Sequence, residues 1–193
     1  MKNVKAISLI LILLGLGIKL YFYILNSYDI SVQNKIIDNV FNFEVDTSVD
    51  TSYVSTDIFS YQNKYSDNLY LGYIYIPRFN IKRLIKSGTD DSVLNSGYVG
   101  MHSLSGGLDN DDLIILAGHN ISNVFGMLHS ISIGDYVYIN TNRLKRKFIV
   151  YDSKVVDEYD SGYLFDNHKN ELLLITCTKK SGERLIVFLR EVL

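Results

Sequence analysis

ELLLITCTKKSGERLIVFLREV, residues 171–192, decides the fold. Two apolar runs, ELLLITC and RLIVFLREV, flank TKKSGE, a turn region containing Gly182. Runs this short between turn residues read as paired strands rather than helices. The same pattern repeats upstream. RKFIVYDSKVV (146–156) and GDYVYINTN (134–142) alternate, with Gly and Asn between them. DDLIILAGHN (111–120) holds the unbroken apolar run Leu113 to Ala117, which suits a buried central strand. FNIKRLIKSG (79–88) ends at Gly88, and NLYLGYIYIP (68–77) stops at Pro77, where a ladder N–H is lost. Only NVFGMLHSI (123–131) suggests a short helix here. Many short strands with few helices predict a mostly β domain over residues 68–193, closed or nearly closed into a barrel.

The N-terminal part obeys a different rule. Residues 6–25, AISLILILLGLGIKLYFYIL, are almost continuously apolar and long enough to cross a bilayer as a helix. The one charge within it, Lys19, can snorkel on its long stem, and Tyr21 and Tyr23 sit where interfacial aromatics are expected. Lys2 and Lys5 precede the segment, while the next basic residue after it is Lys35. This asymmetry predicts a single-pass protein with a cytoplasmic tail (1–5), a transmembrane anchor (6–25) and the remainder outside the cell. A cleaved signal peptide would end in a small-x-small site, and none precedes YFYILNSYD. Residues 26–67 read as a stalk. DISVQNKIIDNVFNF (29–43) spaces Ile30, Ile36, Ile37, Val40 and Phe41 as an amphipathic helix, and DTSVDTSYVSTD (46–57) reads as a spacer. A hydrophobic content of 47% supports a real core, and a net charge of -2 gives no basis for nucleic-acid binding.

Cys177 is the sole cysteine, so an exported chain carries a free thiol. A lone cysteine at a strand end is more often a small packing residue. To act as a nucleophile it must become a thiolate, which needs a basic or cationic neighbour. An imidazole can then protonate a leaving amine, and an arginine or backbone N–H can hold the oxyanion. His119 ends the LIILAGH strand and Arg184 opens the last strand across the turn from Cys177. Strand ends on one rim of a barrel bring such residues together. Spacing alone leaves packing and catalysis both open.

Several motifs, in order, resemble those of the sortases, membrane-anchored cysteine transpeptidases of bacterial surfaces. Leu173-Leu174-Ile175-Thr176-Cys177 is similar to the family's Thr-Leu-x-Thr-Cys, with Leu173 in place of the first threonine. Ala117-Gly118-His119 matches its Ala-Gly-His, and Arg184 matches the arginine opening its last strand. Gly72-Tyr73-Ile74-Tyr75-Ile76-Pro77 through Gly88 looks like its opening strands, and FGMLHSISIGDYVYI (125–139) like its helix, Gly-Asp turn and strand. YVGMHSLSGGLDNDD (98–112) departs from the family, and His102 there aligns with nothing firmly.

The resemblance implies a closed barrel of about eight strands. It implies Cys177 as nucleophile, His119 as proton shuttle and Arg184 as substrate and oxyanion support, with Thr176 in a lesser supporting role. The implied substrates are surface proteins with a C-terminal LPXTG-like signal, cut between Thr and Gly, and the implied acceptor is an amine of peptidoglycan precursor. Pilus-building members carry an Asp-Pro lid and a second membrane segment, and class B members a long helix where this chain has only residues 157–170. The expectation is therefore a class D-like enzyme ahead of class A or E. No cofactor is expected. Asp109, Asp111, Asp112, Asp157, Glu158 and Asp160 are the candidates should calcium bind, although no regular calcium-loop pattern is present. Zinc on Cys177 and His119 lacks further ligands at matching spacing. His129 and His168 read as surface or helix-packing residues. The alternatives are a hydrolytic cysteine protease on the same site and a non-catalytic, membrane-tethered, peptide-binding barrel.

Overall fold

The computed structural model describes residues 2–41, 70–164 and 169–192, and divides into two compact units, Met1–Ile36 and Ile37–Leu193. The helix α1, Lys2–Val40, is continuous over 39 residues, about 58 Å at 1.5 Å per residue. From Ile7 to Tyr23 its large apolar side chains are all more than half exposed. That surface is costly in water and matches hydrocarbon, and the helix is long and apolar enough to cross a membrane. The expected amphipathic segment exists as the end of α1, not as a separate helix. No Gly or Pro interrupts residues 26–40, so the hydrogen-bond ladder carries on. Ile36 and Ile37 are buried there while Lys35, Asp38 and Asn39 are exposed. The expected spacer at 46–57 lies outside the described residues.

Eight strands close a barrel in the order β1-β2-β3-β4-β7-β8-β6-β5. They are β1 (Tyr70–Ile76), β2 (Ile81–Ser87), β3 (Val99–Met101), β4 (Ile114–Ala117), β5 (Tyr136–Asn140), β6 (Lys145–Asp157), β7 (Glu171–Cys177) and β8 (Glu183–Glu191). A four-residue helix, α2 (Asp91–Leu94), precedes β3, and the helix expected at 123–131 is a 3₁₀ turn, Gly126–Ser130. β2 pairs with β3, and β4 with β7, in parallel; all other pairs are antiparallel. β1 ends at Ile76, immediately before Pro77, as expected.

Side-chain alternation assigns the faces. Ile74, Ile76, Leu116, Phe148, Leu172, Leu174 and Val187 fill the barrel interior. Leu173, Ile115, Ile186 and Phe188 form a second buried cluster on the outer face. ELLLITC is therefore apolar on both faces, which is why it shows no period of two. Gly72 is required because a Cβ there would lie 2.4 Å from the Asn140 carbonyl oxygen, where β1 closes the barrel onto β5.

One end of the barrel is sealed by Arg146. It alternates inward between strand neighbours and is 6% exposed. Its Nε and Nη2 meet the two Glu191 carboxylate oxygens at 2.8 and 2.6 Å, and Nη1 donates to the Leu108 carbonyl at 3.1 Å. Hydrogen bonding to Glu191 raises the guanidinium pKa above its ordinary value. Removing Arg146 would leave the part-buried Glu191 carboxylate, 16% exposed, without its cation. Arg146→Ala should destabilise the domain by about 3–5 kcal/mol, read as a lowered thermal-unfolding midpoint; an unchanged midpoint would refute the seal.

Candidate active site

The register of three adjacent strands builds the site. β4 and β7 run in parallel with Ala117 opposite Ile175. Gly118 extends that ladder, its N–H donating to the Ile175 carbonyl at 3.1 Å. Two residues beyond Ala117 and Ile175, on the same outer face, come His119 and Cys177. In the antiparallel pair β7–β8, Cys177 lies opposite Arg184. His119 and Cys177 thus follow paired residues on adjacent strands and Cys177 faces Arg184, a row across three neighbouring strands. Behind the row lies the outer apolar cluster, with Ile175 opposite Ile186 and Leu173 opposite Phe188. Ile115, Leu173 and Ile186 are fully buried, so this cluster packs behind the row as a second core layer.

Each member of the row is held by a neighbour. The His119 Nε2 lies 2.8 Å from Asn95 Oδ1. An amide oxygen only accepts, so Nε2 carries the proton of that bond. Asn95 closes α2, donating its N–H to the Asp91 carbonyl at 3.0 Å. Asp90 caps the start of α2 by accepting from the Ser92 and Val93 N–H groups, and its carboxyl pKa is lowered, chiefly by the Ser92 hydroxyl. Gly118 gives the histidine its place: a Cβ there would lie 2.7 Å from the Phe125 ring and 2.9 Å from Val124.

Arg184 is about one-third exposed. Its Nη2 pairs with Glu158 Oε2 at 2.9 Å and its Nη1 donates to the Glu183 carbonyl at 3.2 Å. Cys177 is a free, half-buried thiol. Its carbonyl lies 3.4 Å from His129 Nε2, which must be the donor. Thr176 points inward and is 2% exposed; its hydroxyl donates to the Gly118 carbonyl at 2.8 Å. Thr176 therefore ties the two strand ends that carry His119 and Cys177.

Other expectations fare differently. His129 is exposed on its 3₁₀ turn but is no mere surface residue, since it reaches the Cys177 backbone. His102 Nδ1 caps a turn, accepting from the Leu104 N–H at 3.2 Å. His168 lies outside the described residues. The six acidic residues do not converge. Asp109, Asp111 and Asp112 lie in the β3–β4 connection, at the end where β4 and β7 begin; Asp157, Glu158 and Asp160 lie at the end where β7 finishes. Asp109 accepts from Thr141, Asp157 from the Tyr159 N–H and Asp160 from the Gly162 N–H. No group of three or more His, Cys, Asp or Glu is placed to hold a metal among the described residues. Asn95 escaped sequence reasoning and Glu158 was read only as a calcium candidate, because their partners lie 24 and 26 positions away.

A family model described as the Sortase domain matches residues 74–192. The chain belongs to the sortase family. Sortase A of Listeria monocytogenes serovar 1/2a is 24% identical over 195 residues, covering 91% of this chain and 84% of that protein. Among solved structures, Listeria monocytogenes sortase A superposes with a TM-score of 0.58 at 24% identity, over 64% of this chain and 88% of that one. Sortase C1 of GBS Pilus Island 1 gives 0.63 at 20% identity, over 83% of this chain and 92% of that one. Sortase E1 from Streptomyces coelicolor with a tripeptide in the active site gives 0.60 at 21% identity, over 64% and 88%. These likenesses share the barrel fold, and sortases are cysteine transpeptidases of the cell surface.

The Thr176 bridge is separable from the threonine's shape. Thr176→Val keeps the volume but leaves the buried Gly118 carbonyl without that donor, so it should cost about 1–3 kcal/mol. Thr176→Ser should restore most of that loss. Equal midpoints for Val and Thr in thermal unfolding would show the bond to be idle.

Proposed function

We propose that this sortase cleaves a C-terminal LPXTG-like signal between Thr and Gly and transfers the acyl group to an amine of peptidoglycan precursor. The row of His119, Cys177 and Arg184 carries this reading. The Cys177 thiolate adds to the threonine carbonyl carbon, and Arg184 donates to the oxygen as negative charge gathers on it. The C–N bond breaks, His119 gives its proton to the departing glycine nitrogen, and a thioester remains on Cys177. An incoming amine then adds to the thioester and loses a proton to His119. The thiolate leaves as the new amide forms. The thioester conserves acyl energy, so the exchange of one amide for another needs no nucleotide.

The reading places the N-terminus in the cytoplasm, a single span within α1, and the domain 68–193 outside the cell, where its substrates are surface proteins. It carries the class D-like assignment on the short 157–170 connection. Thr176 acts by fixing the strand ends rather than by touching substrate. The steps use thiol, imidazole and guanidinium alone, and calcium enters only as an arm of the assay.

Full-length protein in detergent, given a fluorogenic sorting peptide with and without triglycine and calcium, tests the reading. Wild type should cleave the peptide and divert product from acid to amide when triglycine is added. Cys177→Ala should lose all cleavage, whereas retained cleavage would sink the proposal. Acid product alone, with triglycine present, would point to a hydrolytic protease. A thiol that resists a methanethiosulfonate reagent, in a protein that binds the peptide but never cuts it, would point to a silent peptide-binding barrel. Asn95→Ala frees the His119 ring and should lower kcat by about tenfold, a fraction of the roughly hundredfold or more that general acid–base catalysis supplies; an unchanged kcat would remove Asn95 from the mechanism.

A further inference from the structure

We infer that Glu158 is the positioning residue for Arg184, aligning its guanidinium with the acyl oxygen of a peptide bound at Cys177. The inference rests on the sortase reading above. Strand order sets the arrangement: β8 lies between β7 and β6. Arg184 on β8 has Cys177 on one side and the end of β6, which carries Glu158, on the other.

A guanidinium is a planar fork of five N–H donors. Two fixed points on different nitrogens set the orientation of that plane. Here Glu158 takes Nη2 at 2.9 Å and the Glu183 carbonyl takes Nη1 at 3.2 Å. The donors not used by these bonds remain for a developing oxyanion, whose stabilisation depends on their being aimed beforehand.

Glu158 is itself tethered. Its backbone N–H donates to the Gly182 carbonyl at 2.8 Å. Gly182 adopts φ +81° in the turn that joins Cys177 to Arg184. Asp157, the preceding residue, pairs in register with Glu183. The carboxylate is thus referenced to the turn that joins the nucleophile to the arginine. Its neighbours Asp157 and Asp160 spend their carboxylates on local N–H groups, and Glu158 is the one of these three directed at the catalytic row.

A carboxylate beside the arginine also opposes its charge, so orientation and neutralisation compete. Glu158 stands about two strand spacings from Cys177, roughly 10 Å, which is about one Debye length at 0.1 M salt. Both side chains are about one-third exposed, at 32% and 30%, so the field of Glu158 at the thiol is screened. Hydrogen-bond strength, by contrast, falls steeply once donor angles drop below about 120°. Orientation therefore dominates, and loss of the carboxylate should slow the reaction rather than release a restrained arginine. Half-exposed ion pairs contribute little to stability, so the effect belongs in kcat and not in unfolding.

Glu158→Ala in the full-length protein, which removes the acceptor for Arg184, should lower kcat about tenfold with KM nearly unchanged when assayed with the same fluorogenic peptide and triglycine, as expected for a contact made in the transition state. Its unfolding midpoint should match wild type, which separates positioning from folding. In an Arg184→Lys background, where the planar fork is gone, the same substitution should have almost no further effect. A kcat equal to or above wild type for Glu158→Ala overturns the inference. So does a full tenfold loss in the Arg184→Lys background, because Glu158 would then act independently of the arginine. A wild-type protein that never cleaves the peptide removes the sortase reading and this inference with it. Normal wild-type cleavage with an indifferent Glu158→Ala removes the inference alone.

Discussion

The parallel pairing of β4 with β7 is the constraint on which the rest depends. These strands are remote in sequence, and parallel pairing cannot be made by a tight turn; it needs a long crossover. Everything between Ala117 and Glu171 is that crossover, including β5 and β6, which return to close the barrel. The pairing is fixed at its functional end by backbone and side chain together: Gly118 donates to Ile175, and Thr176 donates back to Gly118. A slip of one residue would turn Cys177 to the interior and Thr176 to the surface. The hydroxyl bond and the buried interior contacts of Leu172 and Leu174 both oppose that slip.

This constraint explains why β7 is apolar on both faces. Its inward side chains join the barrel core, while its outward ones pack into the second buried cluster. Ile115, Leu173, Ile186 and Phe188 are buried on that outer face although no strand lies above them. Tyr163, from the β6–β7 connection, packs against the same cluster, and burial chiefly raises its phenol pKa. The outer face of β7 is thus a second core layer that backs the strand end carrying Cys177.

The fold was legible because its strands are punctuated. Pro77, Gly88 and the TKKSGE turn mark boundaries that the structure keeps, and the 20 residues of the apolar N-terminal segment lie in one helix. β3 was not legible: three residues, Val99–Met101, are too few to show a period. They form a strand because β2 and β4 flank them, a tertiary cause. The row of Cys177, His119 and Arg184 could be anticipated because each stands at a strand end. Asn95, His129 and Glu158 could not, since each meets its partner through the fold alone. Glu158 illustrates the limit: beside Asp157 and Asp160 it reads as one of an acidic cluster, yet its carboxylate belongs to Arg184.

The two ends of the row are supported by different chemistry, and in the reaction proposed above that difference has a use. Arginine keeps its charge throughout the reaction, so a carboxylate can anchor it without changing its protonation. Histidine must cycle between two protonation states, and an adjacent carboxylate would favour the charged one. A neutral amide fixes the ring through one nitrogen without that bias. Asn95 beside His119 and Glu158 beside Arg184 therefore match each partner to the demand on it: a dipole for the group that must titrate, and a charge for the group that must not. Exchanging the two supports would damage both functions, even though each exchanged residue could still accept a hydrogen bond.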